Sequence, residues 1–579
     1  MILKALADYY ERMRNDSERN VAPPGFEKKE IPFLIVLDQE GRFVNIRDTR
    51  TGKGKKKTGR EFLVPRGEKK TSGVKPNLLW DNPQYVLGVP KTASERDKDR
   101  AEKAFSSFRK RFDDTFDVFQ DSGINAIKKF LWEKNFDPLF EHNLWPEVVE
   151  SNANLSFILE GETELIAQRK GVVLHMSEYS KPSENLQVCS VTGKDDIPAV
   201  LHTAIKGVWG AQPSGANIVS FNLDAFRSFG KKQGLNAPVG QDAEFAYTTA
   251  LNTLLQKGSR QRMQVGDAST VFWAKEEHPF EQDFSCFLGE PVKGETTDYG
   301  KIRSLLNAVK TGVLPEEDDT PFYVLGLAPN ASRIAIRFWY EGNVRDLKEK
   351  IAQHFEDIEI VRAPHDREFL SLFQLLLSVA PQGKADRIPP NLGGDLARSV
   401  LAGTPYPRTL LNSAVLRCKA EQGITHARAA LIKGFLVRES RFKKQKGKEV
   451  HMALDKTNEN MGYVLGRLFS VLERIQKQAQ SGLNKTIRDT YFSAASSSPQ
   501  VIFKRLQDLA IHHLAKIRNS GQSTVWLEML LQEVMGKIPA AGLPTTLSVD
   551  DQGRFAIGYY HQCQAFFTKK ENETKGDES

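Results

Sequence analysis

The apolar positions along this chain change period more than once. Residues 1–14 (MILKALADYYERMR) place apolar side chains three and four apart, which predicts a short amphipathic helix. Residues 31–37 form an almost unbroken apolar run. Asp38-Gln39-Glu40-Gly41 then supplies turn chemistry, and 42–46 returns, the pattern of a hairpin. Residues 97–135 are nearly free of Gly and Pro and space Ala104, Phe105, Phe108, Phe112, Phe116 and Phe119 as a helix does. Strands are expected at 155–159, 171–176, 218–221, 271–274, 322–327 and 333–339, and a helix over about 242–255. From about residue 343 helical spacing dominates.

The last stretch reads as three amphipathic helices. Met461, Val464, Leu465, Leu468, Val471, Leu472 and Ile475 keep one helical face, and Ile502, Leu506, Leu509, Leu514 and Ile517 keep another. Trp526, Met529, Leu530 and Val534 mark a third, opened by Ser523 or Thr524 and stopped near Gly536 and Pro539. Short connectors between such helices imply an antiparallel bundle. The expected fold class is therefore α+β: a large mixed α/β amino-terminal region (1–340), a helical extension with a basic linker (341–451), and a carboxy-terminal helical bundle (452–579) that folds alone. The tail beyond Thr568 is polar.

Composition narrows the function. With 579 residues the chain is long enough for several domains, and its 40% hydrophobic and 27% charged content is ordinary for a globular protein. No apolar run is long enough to span a membrane, and no signal pattern opens the chain, so a cytoplasmic location without a membrane partner is expected. Four cysteines with no close pair exclude a CxxC zinc or redox motif. No GxxxxGK[ST], HExxH or GxSxG occurs. His365-Asp366, His512-His513 and the separated Cys189 and His202 lack the companions a metal or catalytic site needs. A non-enzyme with no cofactor and no metal is expected. The alternatives are a metal-dependent nuclease with scattered carboxylates and a generic basic scaffold for RNA.

Charge points to nucleic acid. The formal net charge is +8, a mild excess, but it is clustered. Lys53, Lys55, Lys56, Lys57, Arg60, Arg66, Lys69, Lys70 and Lys75 crowd one Gly-rich segment against only Glu61 and Glu68. Lysines and arginines near phosphates release counterions and bind without regard to sequence. A solvated charge run is the other reading. Asn77 and Asn82 follow directly and put amides beside the positive charge. A second basic run holds Arg438, Arg441, Lys443, Lys444, Lys446 and Lys448. On the bundle, Arg467, Arg474 and Lys477 share one face and Arg505, His512 and Lys516 another, a candidate track for a single strand's backbone or simply a solvated face.

The most specific segment runs from Cys189 to Leu255. Gly210-Ala211-Gln212-Pro213-Ser214-Gly215-Ala216-Asn217 gathers small and amide residues, and the basic pair Lys231 and Lys232 follows. Small residues permit close approach to another polymer, and Gln212, Ser214 and Asn217 could donate to acceptors in a DNA groove. A plain turn into strand 218–221 is the alternative.

The order Cys189, Thr192-Gly193, His202, Ile205-Lys206-Gly207, Gly210-Ala211-Gln212, Ser214-Gly215-Ala216, Ser220-Phe221-Asn222, Asn236-Ala237-Pro238 and Ala250-Leu251-Asn252 resembles the large subunit of the type I-C CRISPR Cascade. So do the opening MILKALADYYERM, residues 81–88, 269–274 and 322–327. The resemblance implies a subunit of an antiviral RNA-guided complex. Such a subunit recognises a protospacer-adjacent motif in target double-stranded DNA, aids R-loop formation and docks a helicase-nuclease. The implied partners are crRNA, the backbone and crRNA-processing subunits, and a small subunit. In that family the bundle is also made separately from an internal start, here Met452 or Met461, with Met452 preferred. Asn77, Asn82, Gln212, Ser214 and Asn217 are then motif-reading candidates. Lys53, Lys55, Lys56, Lys57, Arg60, Lys69, Lys70, Lys75, Lys231 and Lys232 are phosphate candidates, and Arg467, Arg474, Lys477, Arg505 and Lys516 the single-strand track.

Overall fold

A computed structural model describes residues 1–16, 21–52, 57–68, 73–179, 186–289, 299–311, 319–444 and 450–567. The architecture is α+β, with small sheets toward the amino terminus and helices toward the carboxy terminus. The chain divides into two compact units. One comprises Leu3–Thr203 with Val219–Ala250, and the other Ala204–Ile218 with Leu251–Ser579.

The first unit is built on a four-stranded sheet in the order Phe43–Asp48, Phe33–Leu37, Leu155–Leu159, Trp80–Asp81. Phe33–Leu37 and Leu155–Leu159 pair in parallel and are buried along their whole length, as their unbroken apolar sequences require. The expected hairpin forms between Phe33–Leu37 and Phe43–Asp48. The expected helix over 97–135 is two helices, Glu95–Phe116 and Ser122–Glu133. Asp121 makes the break by capping the second, its carboxylate accepting from the Ile124 amide at 3.0 Å. Their apolar faces bury Phe105, Phe108, Phe112, Phe116, Ile127 and Phe130 over the sheet.

Two expected strands are not strands. Residues 171–176 lie in the helix Lys170–Tyr179, because burial there is one-sided: Val172 is buried while Leu174 faces solvent. Residues 218–221 form no strand. Only Asn217 makes an isolated bridge, to Arg333.

In the second unit a four-stranded antiparallel sheet runs Arg333–Asn343, Pro321–Asn330, Ala268–Ala274, Arg262–Val265. Phe272, Phe280, Phe284 and Phe322 pack on one another at its inner face. One hydrophobic core continues from this sheet through helices Val344–Ile358, Leu372–Val379, Leu392–Ala402, Arg408–Glu421 and His426–Phe442 into the last helices. The carboxy-terminal bundle holds five described helices rather than three: Met461–Ala479, Ile487–Ser497, Pro499–Asn519, Val525–Met535 and Val549–Ala565. Gly553 in the last of these lies against Ile432 and Leu411, so the bundle packs on the helices that precede it.

Candidate nucleic-acid interface

The segment 204–218 is a loop fixed at both ends. At its base Ile205 and Ala216 exchange two backbone hydrogen bonds, of 2.8 and 3.0 Å. Asn252 holds the same end, accepting from the Lys206 amide at 2.8 Å and donating to the Ala204 carbonyl at 3.3 Å. The Trp209 amide donates to Ser269 Oγ at 2.9 Å, and the Asn217 carbonyl accepts from Ile334 at 3.0 Å on the edge strand. Gly215 sits at φ +90°, and a Cβ there would lie 2.7 Å from the Ile205 carbonyl oxygen. The glycine is needed to turn the chain back against itself.

This anchored loop presents a polar tip. Gln212, Pro213 and Ser214 are exposed, and the Gly215 amide donates to the Gln212 carbonyl at 2.9 Å, which closes the turn and leaves both side chains facing outward. Asn217 is half-buried at the base. Trp209, which no sequence pattern singles out, stands 60% exposed beside this tip. The available signal is a Trp next to a Gly in a segment without apolar period.

The basic segment of the first unit is partly used up by structure. Arg66 pairs with the buried Glu244 at 2.9 Å, also meets the Thr203 hydroxyl, and lies over the Phe245 ring. Its charge is neutralised inside the fold. Arg60 is exposed and covers Phe62, while Lys57 and Lys75 are exposed. Thr51 and Thr58 pair with each other through hydrogen bonds of 2.9 and 3.0 Å. Next to it Arg50 bonds Asp48 and holds that carboxyl below its usual range. Lys53, Lys55, Lys56, Lys69 and Lys70 lie outside the described residues. Lys231 and Lys232 are exposed on a separate loop.

Asn77 and Asn82 are corrected. Asn77 is 4% exposed, and its carbonyl oxygen accepts from the Glu68 amide at 2.9 Å while its own amide donates to Asp81 at 2.9 Å. Asn82 caps the short helix Pro83–Val86 by accepting from the Gln84 amide at 3.1 Å. Both oxygens serve the local backbone. Elsewhere in this unit Arg96, Arg100 and Lys103 line a hollow of about 620 Å³ together with Asp99, Gly73 and Val74. Spacings of four and three put those three cations on one helix face, a pattern present in the sequence but hidden among the alternating charges of 95–103.

Residues 6–567 match the family model described as CRISPR-associated protein (Cas_Csd1). The chain belongs to this family of CRISPR-associated proteins. Among curated proteins none matches it.

The carboxy-terminal faces of this Csd1-family chain differ from the sequence reading. Arg467 is corrected: it is 0% exposed, its Nε donating to Gln562 at 3.1 Å and its guanidinium pairing with Glu533 at 2.8 Å. It is part of the core and offers no charge to a strand. Arg474 is half-buried over the Phe566 ring, and Lys477 pairs with Glu473 at 2.7 Å. Arg505, His512 and Lys516 remain exposed along the helix Pro499–Asn519. In the second basic run Arg438 and Arg441 both bind the buried Asp357, at 2.7 and 2.5 Å. Lys443 and Lys444 are exposed, and Lys446 and Lys448 fall outside the described residues.

The candidate metal pairs are not assembled. Cys189 is buried and accepts from the Val191 and Gly240 amides, while His202 Nδ1 is hydrogen-bonded to the Tyr247 hydroxyl at 2.6 Å. Among the described residues no group of three or more His, Cys, Asp or Glu is placed to hold a metal, and no helix is long and apolar enough to cross a membrane.

Proposed function

We propose that this Csd1-family chain is the non-catalytic large subunit of a crRNA-guided DNA surveillance complex of the type I-C Cascade. In this reading it recognises a short flanking motif in duplex DNA, aids R-loop formation and docks a helicase-nuclease. The partners are crRNA, the backbone and crRNA-processing subunits, and a small subunit that corresponds to the bundle from Met452 or Met461. The work is intracellular, in the cytoplasm. Family membership over residues 6–567 supports the CRISPR context. The observation that carries the motif-reading role is the anchored loop 204–218 with Gln212 and Ser214 exposed at its tip. Base pairing with the guide reads the target, so the protein has only a short motif and the shape of the duplex to read. A rigid, small-residue tip with outward amide and hydroxyl groups suits that task.

The test is reconstitution with crRNA and backbone subunits, followed by binding to a library of duplexes that carry one target and randomised flanks. Enrichment of a short flanking motif, abolished when this chain is omitted, is the expected result. Equal binding of all flanks would overturn the reading. Incubating the chain alone with Mg²⁺ or Mn²⁺ and labelled DNA tests the non-catalytic part, where cleavage that co-purifies with the protein would contradict it.

A further inference from the structure

The most conspicuous exposed side chain in the described protein is Phe229, 97% accessible to solvent. Its backbone is as unusual as its exposure. Phe229 and Gly230 both have positive φ, 51° and 71°, and the Lys231 amide donates to the Ser228 carbonyl at 3.0 Å. That is a tight turn of the mirror-image type, whose two central positions favour Asn and Gly. Gly230 satisfies the turn. Phenylalanine in the first central place does not, because a bulky residue in the left-handed region is disfavoured. The ring gains nothing from the fold in return.

The turn is nonetheless held firmly. Asn236 accepts from the Ser228 amide at 2.9 Å and donates through its side-chain nitrogen to the carbonyls of Lys231 at 3.1 Å and Gln233 at 2.9 Å. One amide side chain thus fixes both ends of the turn that displays Phe229. Lys231 and Lys232 follow immediately and are exposed, while Asp224 is paired with Arg227 at 2.9 Å. The tip is an aromatic ring on a strained, stapled turn with uncompensated positive charge beside it.

We infer that Phe229 is a stacking platform for an unpaired base of a DNA strand, with Lys231 and Lys232 holding the phosphates next to that base. A base offers a flat π surface to the ring and an anionic backbone to the lysines, so one ligand uses both features. Backbone strain kept at a displayed side chain fits a functional rather than a structural position. The inference rests on the proposed DNA-binding role and names an interaction within it.

The test uses the purified full chain and single-stranded DNA carrying 2-aminopurine, whose fluorescence reports stacking. Wild type should bind and change the fluorescence. Phe229→Asn places a residue that the turn favours, so the fold should be kept or slightly stabilised, while affinity should fall about tenfold and the fluorescence change should vanish. Phe229→Trp should retain both. Lys231→Ala with Lys232→Ala should lower the slope of log K against log salt by about 1.4, the amount for two phosphates of a single strand. Unchanged affinity and fluorescence in Phe229→Asn would overturn the platform while leaving DNA binding in place. A stacking response confined to an RNA strand of the same sequence would overturn the assignment to DNA. Failure of wild type to bind any nucleic acid would remove the functional reading itself.

Discussion

Gly466 lies directly against the backbone of Phe555: a Cβ added to it would stand 2.0 Å from the Phe555 carbonyl oxygen. Gly558 meets the Tyr463 carbonyl in the same way at 2.1 Å, and Gly462 meets that of Asp551 at 2.3 Å. The helices Met461–Ala479 and Val549–Ala565 therefore touch backbone to backbone along a seam of glycines.

Gly466→Ala should force these helices apart and cost about 3 kcal/mol or more, since overpacking here meets main chain and not a movable side chain. Urea denaturation of the full chain measures it. A loss below about 1 kcal/mol would show that the helices shift freely.

Stability should fall as the solution is acidified below neutral pH, with two buried histidines contributing. His354, bonded through Nδ1 to the Tyr406 hydroxyl at 2.5 Å, is pushed down to about 3 by burial and by Arg438. His561, at 3.0 Å from the Tyr463 hydroxyl, is pushed down to about 4 by burial and by Lys433. The unfolded chain takes up these protons near pH 6.5 and the folded chain refuses them. Stability is thus complete above pH 6.5 and is lost as pH falls toward 4 and 3. At pH 5 each costs about 2 kcal/mol. In His354→Gln the Tm deficit against wild type should shrink between pH 7 and pH 5. A constant deficit would mean that His354 titrates normally in the fold.

The central strands of both four-stranded sheets, and the helices that keep a regular apolar face, were legible because their sequences follow simple patterns, whereas the strands Phe26–Glu30, Glu61–Pro65 and Arg262–Val265 were not. The 271–274, 322–327 and 333–339 runs lie within the strands Ala268–Ala274, Pro321–Asn330 and Arg333–Asn343. The helix Val549–Ala565 was not legible. Its buried side includes Gly553, Gly558, His561 and Gln562, which do not read as an apolar stripe, and the glycine seam explains why. Residues 171–176 misled because paired valines favour strands locally while packing chose a helix. Among the site residues, charge alone could not tell Arg467 from Arg505. The partners of Arg467 are Glu533 and Gln562, 66 and 95 residues away, and no local spacing announces them. Asn77 and Asn82 misled for a related reason: amides that serve turns and caps look the same in sequence as amides that read a ligand. Gln212 and Ser214 differ because glycines and distant anchors push them outward.

If the proposed DNA-binding role holds, the cation row Arg96, Arg100 and Lys103 should contribute sequence-blind affinity. Replacing all three with Ala should lower the slope of log K against log salt for duplex binding by up to about 2.7, or about 0.9 for each phosphate no longer neutralised. Preference among flanking motifs should stay the same. A slope equal to that of wild type would mark the row as a solvated face.

The loop tip should behave in the opposite way. Gln212→Ala and Ser214→Ala remove exposed side-chain atoms that bond no partner among the described residues, since the loop is anchored through Ile205, Ala216, Asn252 and Ser269. The Tm should therefore stay within about 1 °C of wild type, as for surface changes. If these groups read base edges, at least one variant should lose about 1–3 kcal/mol of preference for the correct flanking motif, with little change on unrelated duplexes. Asn252→Ala supplies the contrast. It removes the support at the base of the loop without touching the tip, so it should weaken motif preference through a loosened loop and lower the Tm as well. Trp209→Ala separates the role of the neighbouring ring from that of the amides: an equal drop in affinity on all duplexes would place Trp209 against the backbone or sugars. Retention of full motif preference by both Gln212→Ala and Ser214→Ala would take motif reading away from this loop and leave it a surface turn.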